Sequence, residues 1–79
     1  MDGQNEIALE YYLKSVEINS RLHDNRMLAI TFSNVGNLFY SQANFIKSTE
    51  YFKRALEAAR LTNDSKRIAQ ILGFLGILY

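Results

Sequence analysis

Apolar residues recur along the chain at intervals of three and four, the spacing that gives an α-helix one hydrophobic face. Four such segments are separated by short polar runs, which read "HDN" at 23–25, "QAN" at 42–44 and "TND" at 62–64. Alternating β-branched stretches closed by tight-turn dipeptides are missing, and the sequence has no proline. The pattern therefore predicts an all-α chain of about four helices.

The polar runs also set the boundaries of the predicted helices. The expected ranges are 5–22, 26–41, 45–61 and 65–79. Asp24 or Asn25, Asn44 and Asp64 stand where a side-chain oxygen can cap the first turn of the following helix. Because the connections are short, we expect neighbouring helices to run antiparallel.

The chain repeats itself after forty residues. Identical or similar residue types recur at this shift in both the apolar positions and the polar breaks, which indicates a stacked structural repeat. The identical pairs are Glu10/Glu50, Tyr11/Tyr51, Glu17/Glu57, Asp24/Asp64, Ala29/Ala69, Gly36/Gly76 and Leu38/Leu78.

Two glycines, Gly36 and Gly76, lie inside predicted helices at equivalent places of this repeat. A glycine in a helix interior costs about 1 kcal/mol relative to alanine, so a repeated glycine indicates a packing role. Without a Cβ, Gly36 would let the second helix approach the third closely, opposite Phe52 and Ala55. Gly76 would do the same against a helix that follows it.

Composition and charge exclude several classes of function. Apolar residues make up 48% of the 79 residues and charged residues 22%, which is typical of a folded chain. A net charge of +1 provides no basic stripe for nucleic acid, so we expect no nucleic-acid partner and disfavour a DNA-binding domain. There is no cysteine and no apolar run of the roughly 20 residues that cross a bilayer. The polar "MDGQNE" start is unlike a secretory signal, so the default location is cytoplasmic.

Catalytic chemistry is not apparent in the sequence. The single histidine, His23, stands beside Asp24 in a predicted turn, and Asp24 and Asp64 are in register as caps rather than paired as carboxylates. Metal-ligand clusters, nucleophile elbows and phosphate loops are missing. We therefore predict no enzyme, no cofactor and no metal site.

The motif residues resemble the tetratricopeptide repeat family. The stretch "FSNVGNLFY" is similar to the first helix of such a repeat, and "NFIKSTEYFKRAL" is similar to the second. The forty-residue period resembles the variant found in kinesin light chains and in bacterial peptide-sensing regulators and sensor proteins. The resemblance, which covers residues 7–79, implies antiparallel helix pairs stacked into a right-handed α-solenoid that binds proteins or peptides.

The sequence departs from the family pattern in three ways. Ser48 stands where the family usually has alanine, which predicts a mild loss of packing. Ala43 stands where a turn glycine is usual, and a left-handed backbone there would cost about 1 kcal/mol. The phase is also shifted: 5–22 resembles a second helix, 26–61 one complete repeat, and 65–79 a first helix.

The resemblance implies that first-type helices line an inner, concave face. Asn34 and Asn37 would read the backbone of an extended peptide there, because an amide both donates and accepts hydrogen bonds; a structural pairing of Asn34 with a neighbouring helix is the alternative. The matching positions of the fourth helix carry no cation, which argues against capture of a C-terminal carboxylate. The expected peptide-binding residues are Ile30, Ser33, Asn34, Asn37, Tyr40 and Ser41.

The two end helices leave a second function open. The fourth helix, "IAQILGFLGILY", is apolar nearly all round, and such a helix is usually buried on more than one side. Either the chain is a piece of a longer array, or copies associate through the first and fourth helices. Membrane anchoring by "ILGFLGILY" is a weaker alternative, so we expect no membrane partner. A structural self-association module is the alternative to a peptide-binding scaffold.

Overall fold

The computed structural model describes residues 3–78, which form four α-helices joined by short turns. They are α1 (Gly3–Arg21), α2 (Asn25–Ser41), α3 (Phe45–Thr62) and α4 (Ser65–Leu78). The all-α prediction of four helices is confirmed, and their observed ends lie within two residues of the predicted ones. The predicted end of the fourth helix, Tyr79, lies outside the described residues.

Three helices begin at the polar residues that the sequence marks as caps. In each case a side-chain oxygen accepts a hydrogen bond from the backbone N–H three residues later, which satisfies a donor that the helix leaves unpaired. The oxygen-to-nitrogen distances are 3.1 Å from Asp24 to Met27, 3.2 Å from Asn44 to Lys47 and 3.1 Å from Asp64 to Arg67. Of the two candidates before α2, Asp24 is therefore the cap.

Each of the three turns contains one residue with a left-handed backbone. The φ angles are +54° at His23, +59° at Ala43 and +56° at Asn63. Asparagine tolerates this conformation because its side chain can hydrogen-bond locally. For other residues that carry a Cβ, the conformation is unfavourable by roughly 1–2 kcal/mol. The sequence-based expectation of strain at Ala43 is met, because its backbone adopts the conformation that glycine would favour.

The helices pack in chain order, and the closest packing joins α2 to α3. Helix α3 also contacts α4, so the hydrophobic core is centred on α3. Helix α1 packs on α2 but contributes no buried residue of its own. The buried apolar cluster consists of Leu28, Ala29, Phe52, Ala55, Ala58, Ala59, Ile71 and Leu75.

Candidate functional site

The contact between α2 and α3 is built around Gly36. A Cβ at this residue would lie 3.0 Å from three carbons of the Phe52 ring, closer than side chains normally approach. Phe52 is 1% exposed and also stacks on Phe74 of α4, with ring centroids 5.0 Å apart. Ala55, one turn further along α3, is fully buried. The ring of Phe52 thus occupies the space that a side chain at position 36 would need.

Ser48 has a role that the sequence analysis did not foresee. The residue is fully buried, and its Oγ donates a hydrogen bond of 2.8 Å to the carbonyl oxygen of Gly36. The hydroxyl is therefore satisfied across the helix pair, and the expected mild loss of packing at Ser48 stays a prediction. A glycine leaves its carbonyl accessible from the facing helix, which is the physical signal that would have indicated this bond.

Gly76 has the opposite surroundings. Apart from its chain neighbours and the nearby backbone of α4 itself, no atom of residues 3–78 lies within 4 Å of a Cβ built at this position, and the residue is exposed. The sequence analysis expected Gly76 to pack against a helix that follows it. That contact is not made by α1, α2 or α3, so its packing role stays a prediction.

Two of the expected peptide-binding residues, Asn37 and Tyr40, lie beside α4. Together with Phe74 and Ile77 they line a small cavity of about 120 Å³, and the Phe52 ring lines it as well. Tyr40 is also in edge contact with Phe45, with ring centroids 5.5 Å apart. The first-type helices α2 and α4 therefore share an apolar cavity bordered by an amide and a phenol.

Ile30 and Asn34 lie on a different part of α2. They line a groove of about 330 Å³ that is shared with α1, and its other wall is formed by aromatic and polar side chains of that helix. The α1 residues in this groove were not among the sequence-predicted site residues; they are Tyr11, Tyr12, Ser15, Ile18 and Asn19. The predicted set is thus divided between two grooves.

Ser33 and Ser41 are both bonded to their own helix. Ser33 is only 6% exposed, and its Oγ donates to the carbonyl of Ala29 over 2.8 Å. The expected place of Ser33 on an open concave face is therefore corrected: the preceding turn satisfies its hydroxyl, and little of it reaches solvent. Ser41 is exposed but likewise donates to a carbonyl, that of Leu38, over 2.7 Å.

Of the predicted residues, the two asparagine amides can both donate to and accept from a peptide backbone. Asn37 is exposed and Asn34 half-buried, and among residues 3–78 no hydrogen bond engages either side-chain amide. Each amide can therefore offer both a donor and an acceptor without breaking an internal bond. The alternative, in which the Asn34 amide pairs with a neighbouring helix, is not observed among residues 3–78.

The charged side chains that pair do so along the outer surface. Glu17 and Arg21 approach to 2.9 Å, Glu50 and Arg54 to 3.1 Å, and all four side chains are between 45% and 77% exposed. Such i,i+4 pairs contribute a few tenths of a kcal/mol each. They mark the solvated side of α1 and α3 rather than a site.

The described part of the chain contains neither a cluster of metal-ligating side chains nor a helix that could span a membrane. Residues 3–78 bring together no group of three or more histidine, aspartate or glutamate side chains suited to a metal ion. No helix in this range combines the length and the apolar content that a bilayer span requires.

The fold and its central contact define a class of protein. The chain has the features of an all-α helix-pair repeat protein. Its helices are joined by short connections, a glycine of one helix faces an aromatic ring of the next, and the sequence repeats after forty residues. A family model of the tetratricopeptide repeat matches residues 1–61, and the chain belongs to that family. No curated protein and no solved structure matches the chain. Members of the family are typically non-catalytic modules that mediate protein–protein interaction.

Proposed function

We propose that this chain is a non-catalytic scaffold that binds an extended peptide segment of a partner along the face shared by α2 and α4. The observation that carries the proposal is the cavity of about 120 Å³ between Phe74 and Ile77 of α4 and the Asn37 and Tyr40 side chains of α2. An unengaged amide beside an apolar cavity offers backbone recognition and a side-chain pocket in one place.

The size and lining of this cavity indicate which peptide residue it would accept. Engineered apolar cavities of roughly 150 Å³ take up benzene, so the cavity here suits one aliphatic or small aromatic side chain. Phe74 and Ile77 supply apolar surface, and no cation lies among the cavity residues, so a carboxylate would be a poor occupant. The ligand is therefore a peptide with an apolar anchor residue rather than a free acidic C-terminus.

The Asn37 amide would fix the peptide backbone next to the anchor. It can donate to a peptide carbonyl and accept from a peptide N–H, whatever the sequence of the ligand. Asn34, one turn earlier and facing the α1 groove, would extend the same contact along α2. Affinity would then come from the amides and the anchor pocket, and sequence preference mainly from the pocket.

Selection from a library of random peptides displayed on phage tests this proposal. Peptides enriched on the wild-type chain should carry an aliphatic or aromatic residue at one fixed position. The double variant Asn34→Ala with Asn37→Ala should weaken their binding at least about tenfold while leaving the helical circular dichroism unchanged. The matched control is Ile46→Ala, because Ile46 lies on α3 away from the cavity and is 85% exposed.

Two results would contradict the proposal. The first is that selected peptides bind the double variant as tightly as they bind the wild type. The second is that the control weakens binding as much as the double variant does. In either case the α2–α4 face would not be the binding surface.

A second candidate is a structural role in which copies of the chain join to one another. A separate observation supports it: among the described residues, α1 and α4 each leave at least partly uncovered the side that their counterparts in the repeat, α3 and α2, use to pack together. This role does not depend on the peptide groove.

A further inference from the structure

The chain contains an internal template for how a first-type helix sits on a second-type helix. In the α2–α3 pair, Gly36 faces the Phe52 ring, and Ser48 donates to the Gly36 carbonyl. The Tyr51 ring stacks on Phe39 with centroids 5.6 Å apart and lies 6.1 Å from the Phe32 ring. This pair defines both the side of each helix that is used and the register between them.

Helix α1 presents the same side as α3, but within residues 3–78 only α2 covers it, and only in part. A shift of forty residues relates Ser48, Phe52, Ala55 and Ala59 of α3, all buried, to positions on α1 that are only half-buried. Those positions of α1 are Ala8, Tyr12, Ser15 and Asn19. Three of the four line the open groove against α2, and Tyr11, the counterpart of Tyr51, is 67% exposed.

Helix α4 presents the complementary side. Its counterparts of Phe32 and Gly36 are Leu72 and Gly76, and both are open: Leu72 is 47% exposed and Gly76 has no neighbour within 4 Å of a built Cβ. Leu75, the counterpart of Val35, already packs into the core. The part of α4 that would meet a second-type helix is therefore the part left uncovered.

We propose that α4 of one copy of this chain docks on α1 of a second copy, in the register that α2 and α3 use within the chain. Gly76 would then face Tyr12 of the other copy, as Gly36 faces Phe52. Leu72 would lie beside Tyr11 of the other copy, as Phe32 lies beside Tyr51. The occupant of the α1 groove is thus a helix of this same sequence, because the chain carries both halves of one contact.

The contact is heterologous, since different helices of the two copies meet. Such contacts form rings where the rotation closes and filaments where it does not, so association extends beyond a dimer as concentration rises. Ser15 and Asn19 replace the alanines Ala55 and Ala59 of the template. Polar groups at a helix contact must keep hydrogen-bond partners when they are covered, so the contact between copies is weaker than the α2–α3 contact. The inference rests on the self-association candidate and not on the peptide groove.

Analytical ultracentrifugation of the full chain from low to high micromolar concentration tests the docking, with two leucine substitutions in α4. Gly76→Leu would fill the space meant for the Tyr12 ring and should raise the apparent dissociation constant at least tenfold. Lys66→Leu is the control, because Lys66 lies in the same helix and is exposed, and its counterpart in α2, Arg26, is exposed too. It should associate like the wild type.

Cross-linking tests the register independently. The sequence has no cysteine, so single cysteines report one position each. A Tyr11→Cys variant mixed with a Leu72→Cys variant should cross-link efficiently with a short bismaleimide. Tyr11→Cys mixed with Ile46→Cys, an exposed position outside the contact, should cross-link at the background rate.

The results separate the docking register from self-association in general. A wild-type chain that stays monomeric at every concentration overturns the proposal together with the self-association role. A chain that associates, yet does so equally well as Gly76→Leu or cross-links equally through Ile46→Cys, overturns the α4-on-α1 register while leaving self-association intact.

Discussion

Helices α3 and α1 occupy equivalent places in the repeat, and so do Gly36 and Gly76, yet their surroundings differ. Around Gly36, α3 supplies a buried aromatic ring and a buried hydroxyl. At the equivalent side of α1, Tyr12 and Ser15 remain partly open, and among the described residues no other helix approaches Gly76. The repeat pattern thus predicts which side of a helix can pack. Whether that side is buried in a core or lies in an open groove depends on the presence of a partner helix.

The aromatic pair Phe52 and Tyr12 should show the largest difference between the two helices. Phe52→Ala should destabilise the fold by about 3–5 kcal/mol, because the deletion leaves a cavity against both Gly36 and Phe74. That is a large part of the total stability of a small domain. Tyr12→Ala should change the free energy of unfolding by less than about 1 kcal/mol, because the ring is half exposed.

Urea unfolding of both variants at dilute concentration, followed by circular dichroism, measures this difference. Dilution keeps any association between copies from contributing to the stability of Tyr12→Ala. Equal losses for the two variants would mean that α1 and α3 contribute equally to the core, contrary to the observed burial.

The same substitution, glycine to leucine, should lower the stability of the monomer at position 36 but not at position 76. Gly36→Leu should destabilise the monomer by about 1–3 kcal/mol, because leucine would overlap the Phe52 ring and force the helices apart. Gly76→Leu should be neutral or stabilising by up to about 1 kcal/mol, because leucine favours the helix and meets no neighbour. Thermal unfolding of dilute samples gives both values, and a loss of stability at both positions would contradict the comparison.

A smaller contrast is expected between Ser48 and Ala8. Ser48→Ala removes the hydrogen bond to the Gly36 carbonyl and should cost about 0.5–1 kcal/mol. The reverse change at the equivalent position, Ala8→Ser, faces the open side of α1 and should stay within about 0.5 kcal/mol of the wild type. Denaturant midpoints measured side by side check the pair, and indistinguishable midpoints would show that the buried bond contributes nothing net.

Much of the fold could be predicted from the sequence, because local rules specify it. The polar runs carry the caps Asp24, Asn44 and Asp64, and helical spacing carries the four helices. The forty-residue repeat indicated that position 36 is a glycine because the helices pack closely there. These features depend on residues close in sequence or on a repeated pattern, so no knowledge of the distant packing was needed.

The candidate site was predictable only in part, because it depends on how neighbouring helices cover α2. Helical spacing groups Ile30, Ser33, Asn34 and Asn37 on one side, but it does not show that α1 flanks Asn34 whereas α4 flanks Asn37. It also does not show that Ser33 turns back to its own helix. Applying the repeat shift to α1 would have identified the groove beside Tyr12, since its counterpart Phe52 was already assigned to packing.

The central claim is that the Phe52 ring fills the space left by the missing side chain at position 36. A double-mutant cycle with Gly36→Ala and Phe52→Leu tests it most directly, because one change adds about the volume that the other removes. The account predicts that Gly36→Ala is more favourable in the Phe52→Leu background than in the wild type by at least about 0.5 kcal/mol. Strictly additive free energies of unfolding would contradict it.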